Sequence, residues 1–466
     1  MMKKYFKNII YVSLLLTFLG CEKYLDINED PNVSTDVPAE LLLKSMELAD
    51  VQIQSGHLMR ISQFWTGQMR GTGNLYGRIN NYIIAPEDSN DIWAFMYHGI
   101  MTQNDIIQEN SQNDLVKGIA NIIEAHGIGS MASMFGDIPY SQVGIEQNAA
   151  FDKQADVYQA AQVLLNTAID QLGSVATSRR FTDDILLGGN PVSWIQVAYT
   201  LKARYYMMTR EYGEAYQNAL LGVNSKNNSL RYAGAYSGYG TTNENSNLYN
   251  LILSGSRSGD LTSLGSFNDN LLNATNATSR NNAKTNESRR RDYLTLDQTG
   301  IKSNRLSAAN AQMPLVSYEE NLLILAEAGF RSSGFNEGLT RLNALRAYLA
   351  TGNAFAGDAT LPIKYDSYIA TDFAAGGIEN ADNITADKAL LREIMEEKYV
   401  SCFATLVPFD DFRRIRATDN SIALQIPINA GNLYPERFLI AQDEINGNSN
   451  SPSPIPDLFV KTQVNQ

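Results

Sequence analysis

Residues 325–346 read LAEAGFRSSGFNEGLTRLNALR, in which Ala326 is followed nine residues later by Phe335 and twelve later by Gly338, with Leu342 and Leu345 beyond. The stretch from Tyr199 to Gly222 repeats that spacing with Ala203, Tyr212 and Ala215, then Ala219 and Gly222. Tyr158, Ala161, Leu165 and Ala168 carry its second half alone. Small residues at these positions let two antiparallel helices approach closely, and the aromatic wedges between one pair and the next.

That is the spacing of a tetratricopeptide helix-turn-helix unit, to be weighed against two unrelated amphipathic helix pairs. About 120 residues separate the two full copies, which argues against a continuous solenoid. Between them, residues 225–312 are rich in Asn, Ser, Gly and Thr and do not read as helix. So long a structureless stretch does not suit a compact domain, and the expectation is a loop-rich lobe supported by the helices. Residues 350–384 are similar, with AAGGIENADN as a breaker; helix returns at 386–400, where Leu390, Leu391, Ile394 and Met395 share a face. The end, NGNSNSPSPIPDLF, has no helical period. The chain therefore reads as mainly α.

At the other end, Lys3, Lys4 and Lys7 precede an apolar run from Ile9 to Leu19, and Gly20 stands before Cys21. This is the layout of a secretory signal, too short to span a membrane as a stable helix. Cleavage after Gly20 would make Cys21 the new terminus, which resembles a bacterial lipobox, although Phe18 stands where leucine is usual. Several acyl chains on Cys21 would hold the protein on a membrane, each buried methylene adding roughly 0.8 kcal/mol. The other cysteine, Cys402, then has no partner and reads as a small core residue. The domain plan is a signal at 1–20 and a single domain at 21–466. Within it lie a tether at 21–40, a helical region at 41–224, the lobe at 225–312, a tetratricopeptide-like pair at 313–349 and an irregular region at 350–466. Losing three lysines with the signal would take the net charge from −13 to −16, a poor match for nucleic acid or anionic lipid.

YLDINEDPN after Cys21, FGDIPYSQ at 135–142, LLREIMEEKYV at 390–400, FDDFRR at 409–414 and ERFLIAQDEINGNSN at 436–450 occur in this order. Together they resemble the landmarks of the SusD/RagB-like family, from the lipobox to the last thirty residues. The resemblance implies a helical fold with tetratricopeptide-like pairs under a loop-rich ligand face. It further implies an outer-membrane, surface-exposed lipoprotein that captures glycans, or in one branch peptides. Such a protein passes its ligand to a TonB-dependent, SusC-like transporter, without catalysis or cofactor.

A glycan site needs exposed aromatic platforms beside Asn, Gln, Asp or Arg. Residues 64–99 offer Trp65, Tyr76, Tyr82, Trp93 and Tyr97 close to Arg70, Asn74, Arg78 and Asn80. Residues 231–250 offer Tyr236 and Tyr239 among glycines. Trp93, Tyr97 and Ile100 also form a stripe on a helix after PEDSND, which suits a structural role.

Other chemistries are weaker. Gly127 to Gly136 lacks phosphate-loop spacing and continues a helix; its small residues suit helix packing. Asp26, Asn28 and Asp30 imitate a calcium loop, but Pro31 and Val37 stand where glycine and glutamate are required. Asp410 and Asp411 beside Arg413 and Arg414 read as a structural salt-bridge cluster. His57, His98 and His126 lack metal-ligand spacing. A surface glycoside hydrolase would need two carboxylates across an aromatic cleft; a helical envelope scaffold is the third class.

Overall fold

The structure, a computed structural model, describes residues 38–233, 247–255, 257–298 and 302–466. Its backbone is a row of packed helices: α1 (Asp114–Phe135), α2 (Gln154–Gly173), α3 (Pro191–Thr209), α4 (Tyr212–Ala219), α5 (Tyr318–Ser333), α6 (Phe335–Ala350), α7 (Ala386–Ser401) and α8 (Val407–Thr418). Each packs on the next in this order. The helix Leu42–Ser55 covers α1 from the side.

The repeated spacing marks the contacts that close this row. Ala203, Ala215, Ala219, Ala326, Leu342 and Leu345 are buried. A methyl group on Gly338 would lie 2.7 Å from Phe330 Cβ, so only glycine admits that approach. Gly334 alone joins α5 to α6, and its φ of +86° is a conformation that glycine adopts without strain. Local chemistry fixes the ends: Ser317 Oγ accepts from the Glu320 amide at α5, and Asn190 Oδ1 accepts from the Val192 amide at α3, where Pro191 opens the helix.

The expectation of interrupted helical pairs is corrected. α4 packs directly on α5, so the two copies are neighbours and residues 225–312 are spliced between adjacent units. Sequence distance misled because the insertion leaves and returns at one place: Leu230–Tyr232 pairs antiparallel with Met313–Val316. Among its described residues the lobe also contains three short α-helices, Leu248–Ser254, Phe267–Leu272 and Ser288–Leu294, where no helix was expected. Each has at most seven residues, too few to show a period. Strand pairs Arg70–Gly71 with Leu261–Thr262, and Thr285–Asn286 with Lys364–Tyr365, strap the lobe to the rest. Buried ion pairs reinforce it: Arg280 reaches Glu287 at 2.7 Å and Glu393 at 2.9 Å, and Arg290 reaches Glu397 at 2.6 Å.

α1 lies at the centre, with every residue from Leu115 to Phe135 except Lys117 buried. Its glycines serve close packing: a methyl group on Gly129 would meet the Tyr205 ring at 2.2 Å. Within FDDFRR, Arg413 pairs with Asp410 at 2.8 Å and Arg414 with Asp411 at 2.6 Å and Glu327 at 2.7 Å, all buried. Cys402 is a buried free thiol, pushed well above its usual pKa by burial. No helix among the described residues is long and apolar enough to cross a membrane.

Candidate functional site

The helix Asn90–Ala94 runs into a π-helical turn, Phe95–Met101. Together they line a surface groove of about 400 Å³ with Asn90, Trp93, Ala94, Tyr97 and His98. That is the size range of small-ligand sites. Two interior cavities, of about 10 and 20 Å³, are far smaller.

The opposite walls come from distant parts of the chain. Pro139 lies in a strand, Ile138–Pro139, paired with Phe151–Asp152, and the loop between them contributes Val143, Gly144, Glu146, Gln147 and Ala149. Asp443, Glu444, Gly447 and Asn448 come from the helix Gln442–Gly447 and its end. Side-chain amides lock the three walls together. Asn448 Nδ2 donates to Ala149 O at 2.8 Å and to Glu444 Oε1 at 2.6 Å, and the Asp443 amide donates to Asn90 Oδ1 at 3.2 Å. Asn148 accepts from the Ser449 amide at 2.8 Å.

Trp93 and Tyr97 form the aromatic floor, their ring centroids 5.5 Å apart and tilted by 45°. Trp93 is held edge-on by Phe135 at 5.4 Å and is only 4% exposed, so it is both core and floor. The Tyr97 hydroxyl donates to Pro139 O at 2.8 Å, which fixes the ring and leaves it an apolar face to offer. Burial, and then the carboxylates of Glu444 and Asp152, hold the Tyr97 phenol far above its ordinary pKa. Glu444 is itself raised by burial. The amides of Asn90 and Gln147 give the groove a mixed apolar and hydrogen-bonding surface, the two kinds of contact that a sugar ring calls for.

Of the residues expected to face a glycan, Trp93 and Tyr97 line this groove. Trp65, Tyr76 and Tyr82 are withdrawn into the core. Trp65 stacks on Phe438 with centroids 4.6 Å apart and donates Nε1–H to Ile79 O at 3.1 Å. Tyr76 is fully buried and accepts from Arg60 Nε at 3.0 Å. Tyr82 accepts from the Asn429 amide at 2.8 Å. Glycines beside Tyr76 suggested exposure, yet Gly71 is needed for the opposite reason: a methyl group there would overlap Tyr76 O at 2.0 Å. Arg78 is exposed but does not line the groove. Asn74 is tied to Asp260 at 2.6 Å, and Asn80 accepts from the Gly71 amide at 3.0 Å. Cys21, the calcium-like stretch 26–37, Tyr236 and Tyr239 lie outside the described residues.

His126 is buried between Asp50 at 2.9 Å and Arg204 at 3.0 Å. An arginine only donates, so Nε2 of His126 accepts and Nδ1–H donates to Asp50. No group of three or more His, Cys, Asp or Glu suited to a metal occurs among the described residues. The loop residues Glu146 and Gln147 and the C-terminal Asp443, Glu444 and Asn448 carry no site signal in the sequence. NGNSN reads there as a family landmark and as the start of a tail without helical period, and nothing in one sequence places it beside residues 90–98.

A family model described as SusD-like, starch-binding associating with outer membrane, matches residues 31–416. The chain belongs to the SusD-like family. No curated protein matches it. Among solved structures, it is similar to a SusD/RagB family protein from Bacteroides thetaiotaomicron at 18% identity and a TM-score of 0.62, with 89% of this chain and 95% of the other covered. It is equally similar to a chitin-binding SusD homologue from Flavobacterium johnsoniae, at 17% identity and a TM-score of 0.63, covering 91% and 97%. At such identities these likenesses speak for the SusD-like fold alone. The family is described by starch binding and by association with the outer membrane, and membership makes this SusD-like chain a binding protein.

Proposed function

We propose that this SusD-like protein captures oligo- or polysaccharide at the cell surface and delivers it to a partner TonB-dependent, SusC-like outer-membrane transporter, held on the membrane by lipid on Cys21. The observation that carries the reading is the groove floored by Trp93 and Tyr97 and walled by the amides of Asn90 and Gln147, in a chain whose family is described as starch-binding. Aromatic faces meet the apolar faces of sugar rings, and amides meet the belt of hydroxyls.

Retention of the purified protein on polysaccharide affinity gels, without release of reducing sugar, tests binding against catalysis. Release of reducing sugar would make it a glycoside hydrolase, and retention by peptides alone would move it to the peptide-binding branch. Co-purification of a transporter with no glycan retained would leave only an envelope scaffold. For the anchor, Cys21→Ala should free the protein from membranes; a variant that stayed in the outer-membrane fraction after a carbonate wash would contradict it.

A further inference from the structure

The groove is one-sided in charge. Among the described residues, Glu146, Asp443 and Glu444 line it and no lysine or arginine does; His98 is the one described lining side chain able to carry positive charge. Glu146 and Asp443 are exposed on facing walls, while Glu444 sits deeper and is clamped by Asn448 at 2.6 Å. The carboxylates of Glu444 and Asp152 act on the Tyr97 phenol at the floor. Asp152 is fixed in place by the Tyr140 and Ser141 amides at 2.9 and 2.8 Å. The negative field therefore reaches from rim to floor.

Field lines concentrate in a cleft with low-dielectric walls, so three like charges act on a ligand more strongly there than on an open surface. At physiological salt, screening sets in over roughly 8 Å. We infer that the groove takes glycans free of carboxylate and sulfate groups, favours those carrying a free amino group, and excludes polyanionic glycans. This rests on the proposal that the groove is the glycan site. An acidic sugar would bring its own charge against Glu146, Asp443 and Glu444 and find no guanidinium or ammonium to pair with. A protonated amino sugar would gain a carboxylate partner and keep the aromatic floor.

The test is isothermal titration of the full-length protein at physiological and at low salt, with three hexamers: N-acetylglucosamine, glucosamine and galacturonate. Three variants accompany the wild type. Glu146→Lys/Asp443→Lys inverts two exposed charges and leaves the clamped Glu444 in place, and Ala94→Trp plugs the groove from an exposed helical position; Glu146→Gln/Asp443→Asn controls for shape.

The inference predicts galacturonate binding about tenfold or more weaker than the neutral hexamer. It also predicts glucosamine binding that strengthens as salt falls, and gain of galacturonate with loss of glucosamine in the lysine variant. Galacturonate bound by wild type as tightly as the neutral hexamer, with both abolished by Ala94→Trp, would overturn the charge selection and leave the site standing. Hexamer binding that Ala94→Trp leaves unchanged, or no binding of any hexamer, would overturn the site and this inference with it.

Discussion

The guanidinium of Arg414 donates to both carboxylate oxygens of Glu327, at 2.8 and 2.7 Å, and so ties α8 to α5 inside the core. Both side chains are fully buried. Glu327 also receives Arg331 at 2.9 Å and Lys398 at 3.5 Å, and these cations hold its carboxyl below the usual range despite burial. Arg414→Met leaves Glu327 and Asp411 short of a partner and should lower stability by about 3 kcal/mol in urea unfolding. Arg414→Lys should recover little, because an ammonium cannot reproduce the two-pronged contact. Full recovery by lysine would contradict this reading.

Trp65 and Tyr76 are stability residues in this structure. Trp65→Ala removes the ring stacked on Phe438 and should cost about 3–5 kcal/mol. Tyr76→Phe removes the acceptor for Arg60 Nε and should cost about 1 kcal/mol. Neither change should alter glycan affinity per folded molecule. A drop in affinity with unchanged melting temperature would return these rings to the ligand face.

Gly129→Ala places a methyl group 2.2 Å from the Tyr205 ring, whose hydroxyl donates to Ala125 O at 2.9 Å. Alanine favours helix, yet the overlap should dominate and destabilise by about 1–3 kcal/mol. Pairing it with Tyr205→Leu should recover part of that loss. A melting temperature raised by Gly129→Ala alone would show that the two helices have room to spare.

The helical frame was legible because its contacts are local. Ala326, Phe335 and Gly338 lie within one helical hairpin, and the size of each residue records how near the partner helix comes. The adjacency of α4 and α5 was not legible, since it is made by chain returning from a polar insertion along the strand pair Leu230–Tyr232 and Met313–Val316. The site was half legible. Trp93 and Tyr97 share a helical stripe, but Glu146, Glu444 and Asn448 join them only through tertiary folding. Trp65 and Tyr76 misled because an aromatic beside glycine and arginine reads alike whether it faces solvent or a close-packed turn.

Glu47 supplies a pH dependence. It is buried on the helix Leu42–Ser55, where burial first, and then the nearby Asp184 carboxylate, push its pKa up to about 10. Asp184 accepts from the amides of Leu186, Leu187 and Gly189 at 2.8, 2.9 and 2.6 Å. From about 4.5, the ordinary value, to about 10 the folded protein keeps a proton that the unfolded chain has lost. The contribution of Glu47 is thus complete below that window and is lost as pH rises through it. Glu47→Gln removes the titration, so its melting temperature should fall less than that of wild type between pH 5.5 and 8.5. Identical falls would contradict the assignment.

The central claim is that the groove floored by Trp93 and Tyr97 holds the glycan, and the direct measurement is oligosaccharide titration of wild type beside Ala94→Trp. Ala94 is exposed and lines the groove, so a tryptophan there fills it without disturbing the core. Ala94→Trp should keep the wild-type melting temperature and lose about thirtyfold or more in affinity, roughly 2 kcal/mol of binding, while Tyr76→Phe binds as wild type does. Undiminished affinity in a folded Ala94→Trp protein would contradict it.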